Sequence, residues 1–124
     1  MCGAHLRGQP LHKQLTDLGA RFLAATTTTP RYRLYALANT TTPKPGLARV
    51  AATDTGGAPI AVETYALTPE AFGRFTAAVP APMVIGNAEL IDGTWVKSFL
   101  CEPHALTGAT DITSKGGWRA YLGA

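Results

Sequence analysis

Apolar positions recur along the chain with two different periods. Leu11, Leu15, Leu18 and Phe22 follow at spacings of four and three, while Lys13, Gln14, Asp17 and Arg21 lie opposite. That spacing predicts one amphipathic helix over 10–24, with Pro10 near its start and the β-branched run Thr26–Thr29 at its end. From Arg31 to Leu37 the period drops to two, which predicts a strand. A short apolar stretch at 1–4 is read as an opening strand, and GLARVAAT and IAVETYAL as two further strands joined by DTGGAP. Residues 47–67 are therefore expected to form a hairpin. Thr68 before Pro69 is a helix-start signal, with Ala71, Phe72, Phe75, Ala78 and Val79 supplying an apolar face that ends by Pro80. Asp92-Gly93 is the strongest hairpin turn in the chain, with arms near 84–91 and 94–102. WRAYL reads as a short closing helix or docked tail. The resulting order, β-α-β-β-β-α-β-β and a tail, predicts a mixed α+β fold. Three Pro- and Gly-rich loops, 38–46, 80–86 and 103–117, are long for a chain of this size.

Composition narrows the class. A length of 124 residues predicts a single domain, 1–124. Apolar residues make up 46% and charged residues 15%, which excludes disorder as the dominant state. The 13 Gly and 9 Pro exclude a long coiled coil. No apolar run is long enough for a membrane-spanning helix, and no signal peptide opens the chain. With only Cys2 and Cys101, both expected as free thiols, a cytoplasmic location is expected. The formal charge of +3 suits a small anionic substrate. Its Lys and Arg are scattered rather than striped, so neither nucleic acid nor membrane is expected as a partner.

Few residues carry chemistry. His5 sits between Gly3 and Gly8, where glycine lets backbone N–H groups approach a ligand and a histidine can exchange a proton near neutral pH. The Gly3–Gly8 spacing matches a phosphate loop, but Gln9 and Pro10 replace its Lys-Ser/Thr pair, so a nucleotide is not expected. Cys2 reads as a buried thiol rather than a nucleophile. Cys101 and His104 lack further ligands at zinc spacing, so neither metal nor cofactor is expected. Lys44 between Pro43 and Pro45 is a candidate anion-binding side chain, and Glu63 is placed on a strand facing solvent.

The segments GAHLRGQPLHKQL, PRYRLYAL, TTPKPGLARV, FGRFTAAVPAP, DGTWVKSFLCE and GATDITSKGGWRAYL resemble, in order, the C-terminal domain of allophanate hydrolase. One departure is His12, where the family commonly has Asn. The resemblance implies a γ-glutamylcyclotransferase-like fold, a small mixed β-barrel with flanking helices. In cyclotransferases a carboxylate base is expected near the end of the second helix, and AAVPAP holds none. The family's amidase domain is absent from this sequence, which is expected to be a free-standing version or an excised domain. The resemblance further implies an enzyme of lyase type in urea and allophanate degradation, which decarboxylates N-carboxycarbamate with His5 as the key residue. Around His5 the expected substrate-binding groups are the backbone of Gly3, Ala4 and Leu6 together with Lys44 and Tyr32, with Arg31 or Arg33 in reserve. Two alternatives remain open: a non-catalytic module that docks on a separate amidase, and a γ-glutamylcyclotransferase-like enzyme with another substrate. A homodimer is compatible with either.

Overall fold

The structure, a computed structural model, describes residues 1–123. Its regular elements are α1 (Lys13–Thr16), β1 (Arg21–Thr27), β2 (Tyr32–Ala36), β3 (Pro45–Arg49), β4 (Ala61–Ala66), α2 (Pro69–Ala77), β5 (Met83–Glu89), β6 (Trp95–Cys101), β7 (Thr110–Asp111) and α3 (Trp118–Tyr121). This is the mixed α+β class expected. No helix among the described residues is long and apolar enough to cross a membrane.

The helix expected over 10–24 is cut to α1, and its second half is β1. Gly19 explains the break. It adopts φ +73, a left-handed conformation that ends a helix at little cost, and its N–H donates to Thr16 O while Ala20 N–H donates to Leu15 O. The chain emerges extended, and Phe22–Thr27 pairs antiparallel with β4, with a bulge at Leu23. Residues 1–4 form no regular strand.

The hairpin expected over 47–67 does not form. β3 instead pairs with β2 from Tyr32↔Arg49 to Ala36↔Pro45, and β4 pairs with β1. Asp54 ties the intervening segment to β2 as it crosses between sheets. Its carboxylate accepts from Arg33 at 2.9 Å and from Gly56 N–H at 2.7 Å, and Ala58 N–H then bridges to Tyr32 O. β2 falls within the strand expected from Arg31 to Leu37, α3 falls within WRAYL, and two further units form as read from sequence. Thr68 caps α2, its Oγ1 accepting from Ala71 N–H at 3.1 Å, while Ala71 and Phe75 are buried on one face. The β5–β6 hairpin turns at Asp92-Gly93, where Asp92 accepts from both the N–H and the hydroxyl of Thr94.

Among the described residues the ladders form three open sheets, β1-β4, β3-β2-β7 and β5-β6, and do not close into the small mixed β-barrel expected. Pro30 and Pro59, which lack an N–H, flank the places where one ladder gives way to the next. A Thr28↔Leu90 bridge joins the end of β1 to the end of β5. Between the sheets lies one core that includes Tyr32, Leu34, Leu47, Ile60, Val62, Leu90, Ile112 and Trp118.

Candidate functional site

The first eight residues wrap the edge of this core and are held at both ends. Met1 exchanges backbone hydrogen bonds with Glu63 on β4, at 2.7 and 2.8 Å. The chain then bends at Gly3, which lies so close to β3 that a Cβ there would overlap the Pro45 ring. Carbonyls of the turn find partners within the segment: Leu6 N–H donates to Gly3 O at 2.9 Å and Leu11 N–H to Ala4 O at 2.8 Å. The N–H groups of Gly3, Ala4 and His5 have no partner among the described residues.

These three residues line a cavity of about 520 Å³ with Gln14, Asp17, Lys44, Arg74, Phe75 and Phe99. His5 is 9% exposed and packs against the rings of Phe75 and Phe99, each 5.3 Å away, which also touch each other at 5.5 Å. Its Nε2–H donates to Gln14 Oε1 at 2.7 Å, and its carbonyl accepts from His12 Nδ1 at 3.0 Å. Burial lowers the His5 pKa below its ordinary value of 6.5. The Gln14 hydrogen bond opposes this, and the charges of the chain's amino group, Lys44 and His12 add to it. The imidazole is therefore neutral at pH 7. With the Nε2 proton bound to Gln14, Nδ1 carries the free lone pair.

Of the groups expected to bind substrate, the structure brings together Gly3, Ala4, His5 and Lys44. Leu6 is not among them, since its N–H is already bonded to Gly3 O and its side chain belongs to the core. Tyr32 is also excluded. It is fully buried, with its hydroxyl accepting from Glu89 N–H at 2.9 Å and from Arg49 at 3.0 Å. Arg33 is committed to Asp54 and Asp111, at 2.9 and 2.8 Å, and does not line the cavity; nor does Arg31. Lys44 has no salt-bridge partner among the described residues. Arg74, paired with Glu70 at 2.7 Å, is a second cation on the cavity wall, and Asp17 there is paired with Lys13 at 2.9 Å. Cys2 shares the cavity, but burial pushes its thiol pKa up and keeps it protonated. Among the described residues no group of three or more His, Cys, Asp or Glu is arranged to hold a metal ion.

Glu63 does not face solvent as expected. It is 2% exposed and accepts from Arg7 N–H at 2.9 Å, Arg7 Nε at 3.1 Å, Tyr65 hydroxyl at 2.8 Å and Arg119 at 3.1 Å. Burial raises its pKa, and these four donors outweigh that effect and hold the carboxyl at about 2. Sequence periodicity could not find Gln14, Arg74, Phe75 and Phe99 as neighbours of His5, because they come from three separate elements.

Fold and site together define a small α+β domain whose buried histidine sits on a glycine-bounded turn inside a cavity. The chain belongs to the allophanate hydrolase C-terminal domain family, whose model matches residues 1–123. It is 47% identical over 123 residues to a urea amidolyase of Saccharomyces cerevisiae and 45% identical to one of Lachancea kluyveri. Those matches take in 97% of this chain but only 7% of the length of either relative. Among solved structures, a Kluyveromyces lactis allophanate hydrolase superposes with a TM-score of 0.93 at 45% identity, covering 98% of this chain and 20% of that one. A uropathogenic E. coli-specific protein superposes with a TM-score of 0.88 at 31% identity, covering 98% of this chain and 91% of that one.

Proposed function

We propose that the cavity around His5 decarboxylates N-carboxycarbamate, a product of allophanate deamination, and so serves urea and allophanate degradation. One observation supports this most: a buried histidine with a free Nδ1 shares a cavity with three unpartnered backbone N–H groups and the cations of Lys44 and Arg74. The substrate has two carboxylates on one nitrogen. The amides of Gly3, Ala4 and His5 would receive one and Lys44 the other, with Arg74 at the wall. Charge decides the protonation state. A dianion entering a low-dielectric cavity reverses the depression of the His5 pKa, so the imidazole gains a proton at Nδ1 on binding. The C–N bond to one carboxylate then breaks. Carbon dioxide leaves, the electron pair stays on nitrogen, and Nδ1–H supplies the proton. The products are carbamate and a neutral imidazole. Such general-acid assistance is worth roughly 10²–10⁴ in rate.

A second reading is a non-catalytic module for a separate amidase. It draws on exposed apolar side chains away from His5, among them Leu23, Ile91 and Trp95. A cyclotransferase reading needs a free carboxylate base at the turn. The carboxylate that reaches it, Glu63, is held by four donors at a pKa of about 2, which weighs against that reading.

The test is carbon dioxide release from allophanate by an amidase domain lacking its own C-terminal domain, with this protein added as wild type or as His5→Ala. Faster release that vanishes in the variant supports the decarboxylase. No acceleration by wild type sinks it and favours the docking module.

A further inference from the structure

We propose that Glu63 is the positioning residue of the His5 turn, fixing from β4 the segment that presents His5 and its neighbouring amides to the cavity. This rests on the function proposed above for that cavity. Glu63 grips the segment on both sides of His5. Four residues before it, the Glu63 backbone exchanges two hydrogen bonds with Met1. Two residues after it, the Glu63 carboxylate accepts from both the main chain and the side chain of Arg7.

A third element closes the clamp. Arg119 on α3 donates at 2.6 Å to Arg7 O and at 3.1 Å to Glu63 Oε2, so the same guanidinium ties the turn and the carboxylate together. Tyr65 supplies a further donor to Oε1, and the Arg7 guanidinium lies 3.9 Å from the centre of the Phe22 ring. The Glu63 carboxylate and its partners Arg7, Tyr65 and Arg119 lie outside the cavity lining, so Glu63 acts on substrate only through the turn. A buried carboxylate facing two guanidinium groups is a rigid anchor, because any other side chain leaves donors unsatisfied. The turn itself is tightly constrained but short of side-chain support, since Gly3 and Ala4 offer almost none. Its geometry is imposed from outside, by Leu11, His12 and Gln14 on one side and by Glu63 of β4 on the other.

Glu63→Gln keeps the shape but turns an amide NH₂ toward donors. The experiment compares wild type, Glu63→Gln and Glu63→Asp by NMR, reading the His5 Nε2–H resonance and exchange of the hydrogen-bonded Leu6 and Arg7 amides. In wild type the ring proton is held by Gln14 and shielded by Phe75 and Phe99, and it should be visible and slow to exchange. Glu63→Gln should broaden or abolish it and speed amide exchange in the turn about 10-fold or more, the factor expected when about 1.4 kcal/mol of local stability is lost. Glu63→Asp should recover part of the effect. A merely structural role would lower the melting temperature yet leave the His5 resonance and local exchange as in wild type, and that result overturns the proposal. If Glu63→Gln does not fold, Arg119→Met makes the milder cut and should move the same signals less; no movement there also overturns it. These readings need no substrate. A failure of the decarboxylase assay with the NMR changes present would sink the catalytic reading and leave the clamp standing.

Discussion

Acid should unfold this protein in a way that depends on one carboxylate. Glu63 has a carboxyl pKa of about 2 in the folded chain against 4.5 as its ordinary value. At roughly 1.4 kcal/mol per pH unit, that difference corresponds to about 3 kcal/mol of folding free energy. The folded pKa is the lower one, so the unfolded chain takes up the proton first as pH falls. The contribution is fully present above pH 4.5 and is lost progressively on the way down to pH 2. Domains of this kind have total stabilities of about 5–15 kcal/mol, so the loss is a large share. The assay is guanidinium unfolding, followed by circular dichroism at a series of pH values, for wild type and Glu63→Gln. Asp54, Asp92 and Asp111 also have lowered pKa values, but they are common to both proteins and cancel in the difference. The stability gap between the two proteins should be largest near pH 6 and shrink by about 3 kcal/mol by pH 2. A gap that does not change with pH would refute the assignment of a strongly stabilised anion to Glu63.

Three further substitutions separate the site from the scaffold. Gln14→Leu removes the acceptor of His5 Nε2–H, so an unpaired buried donor should cost about 1–3 kcal/mol in chemical denaturation, and the turnover of the proposed reaction should fall with it. Lys44→Met should raise KM for the dianion by about 10-fold in steady-state kinetics while leaving the melting temperature nearly unchanged, because Lys44 has no salt-bridge partner among the described residues. Tyr32→Phe should behave in the opposite way. It strips the acceptor from Glu89 N–H and Arg49, lowers stability by about 1–2 kcal/mol in denaturant titrations, and leaves KM unaltered.

Local signals made α2 and the β5–β6 hairpin readable in the sequence. A Thr-Pro helix start and an Asp-Gly turn act within a few residues, and no distant partner has to agree with them. Strand pairing is a distant property, and there the reading failed. GLARVAAT holds β3 in its first half and IAVETYAL holds β4, but nothing between them says that each pairs with an earlier strand, nor that Asp54 also binds Arg33. The helix expected over 10–24 shows a different limit. Phe22 continued the Leu11–Leu15–Leu18 stripe by coincidence, and Gly19 carried the stop signal that the stripe concealed. At the candidate site, the glycines that bracket His5 mark the turn in the sequence. The surroundings of His5 were not legible, since Phe75 comes from α2, Phe99 from β6 and Gln14 from α1. Glu63 was misplaced because strand alternation says which residues share a face but not that Arg7 and Arg119 arrive from either end of the chain to cover it.

The proposed chemistry requires His5 to be neutral in the free protein and to gain a proton when a dianion enters the cavity. Nitrogen-15 NMR of the labelled protein at pH 7 reads that directly, with malonate as a stable stand-in for the two carboxylates of N-carboxycarbamate. The expected result is a bare His5 Nδ1 without malonate and a protonated Nδ1 at saturation. An Nδ1 that stays bare in the saturated complex would contradict His5 as the proton donor.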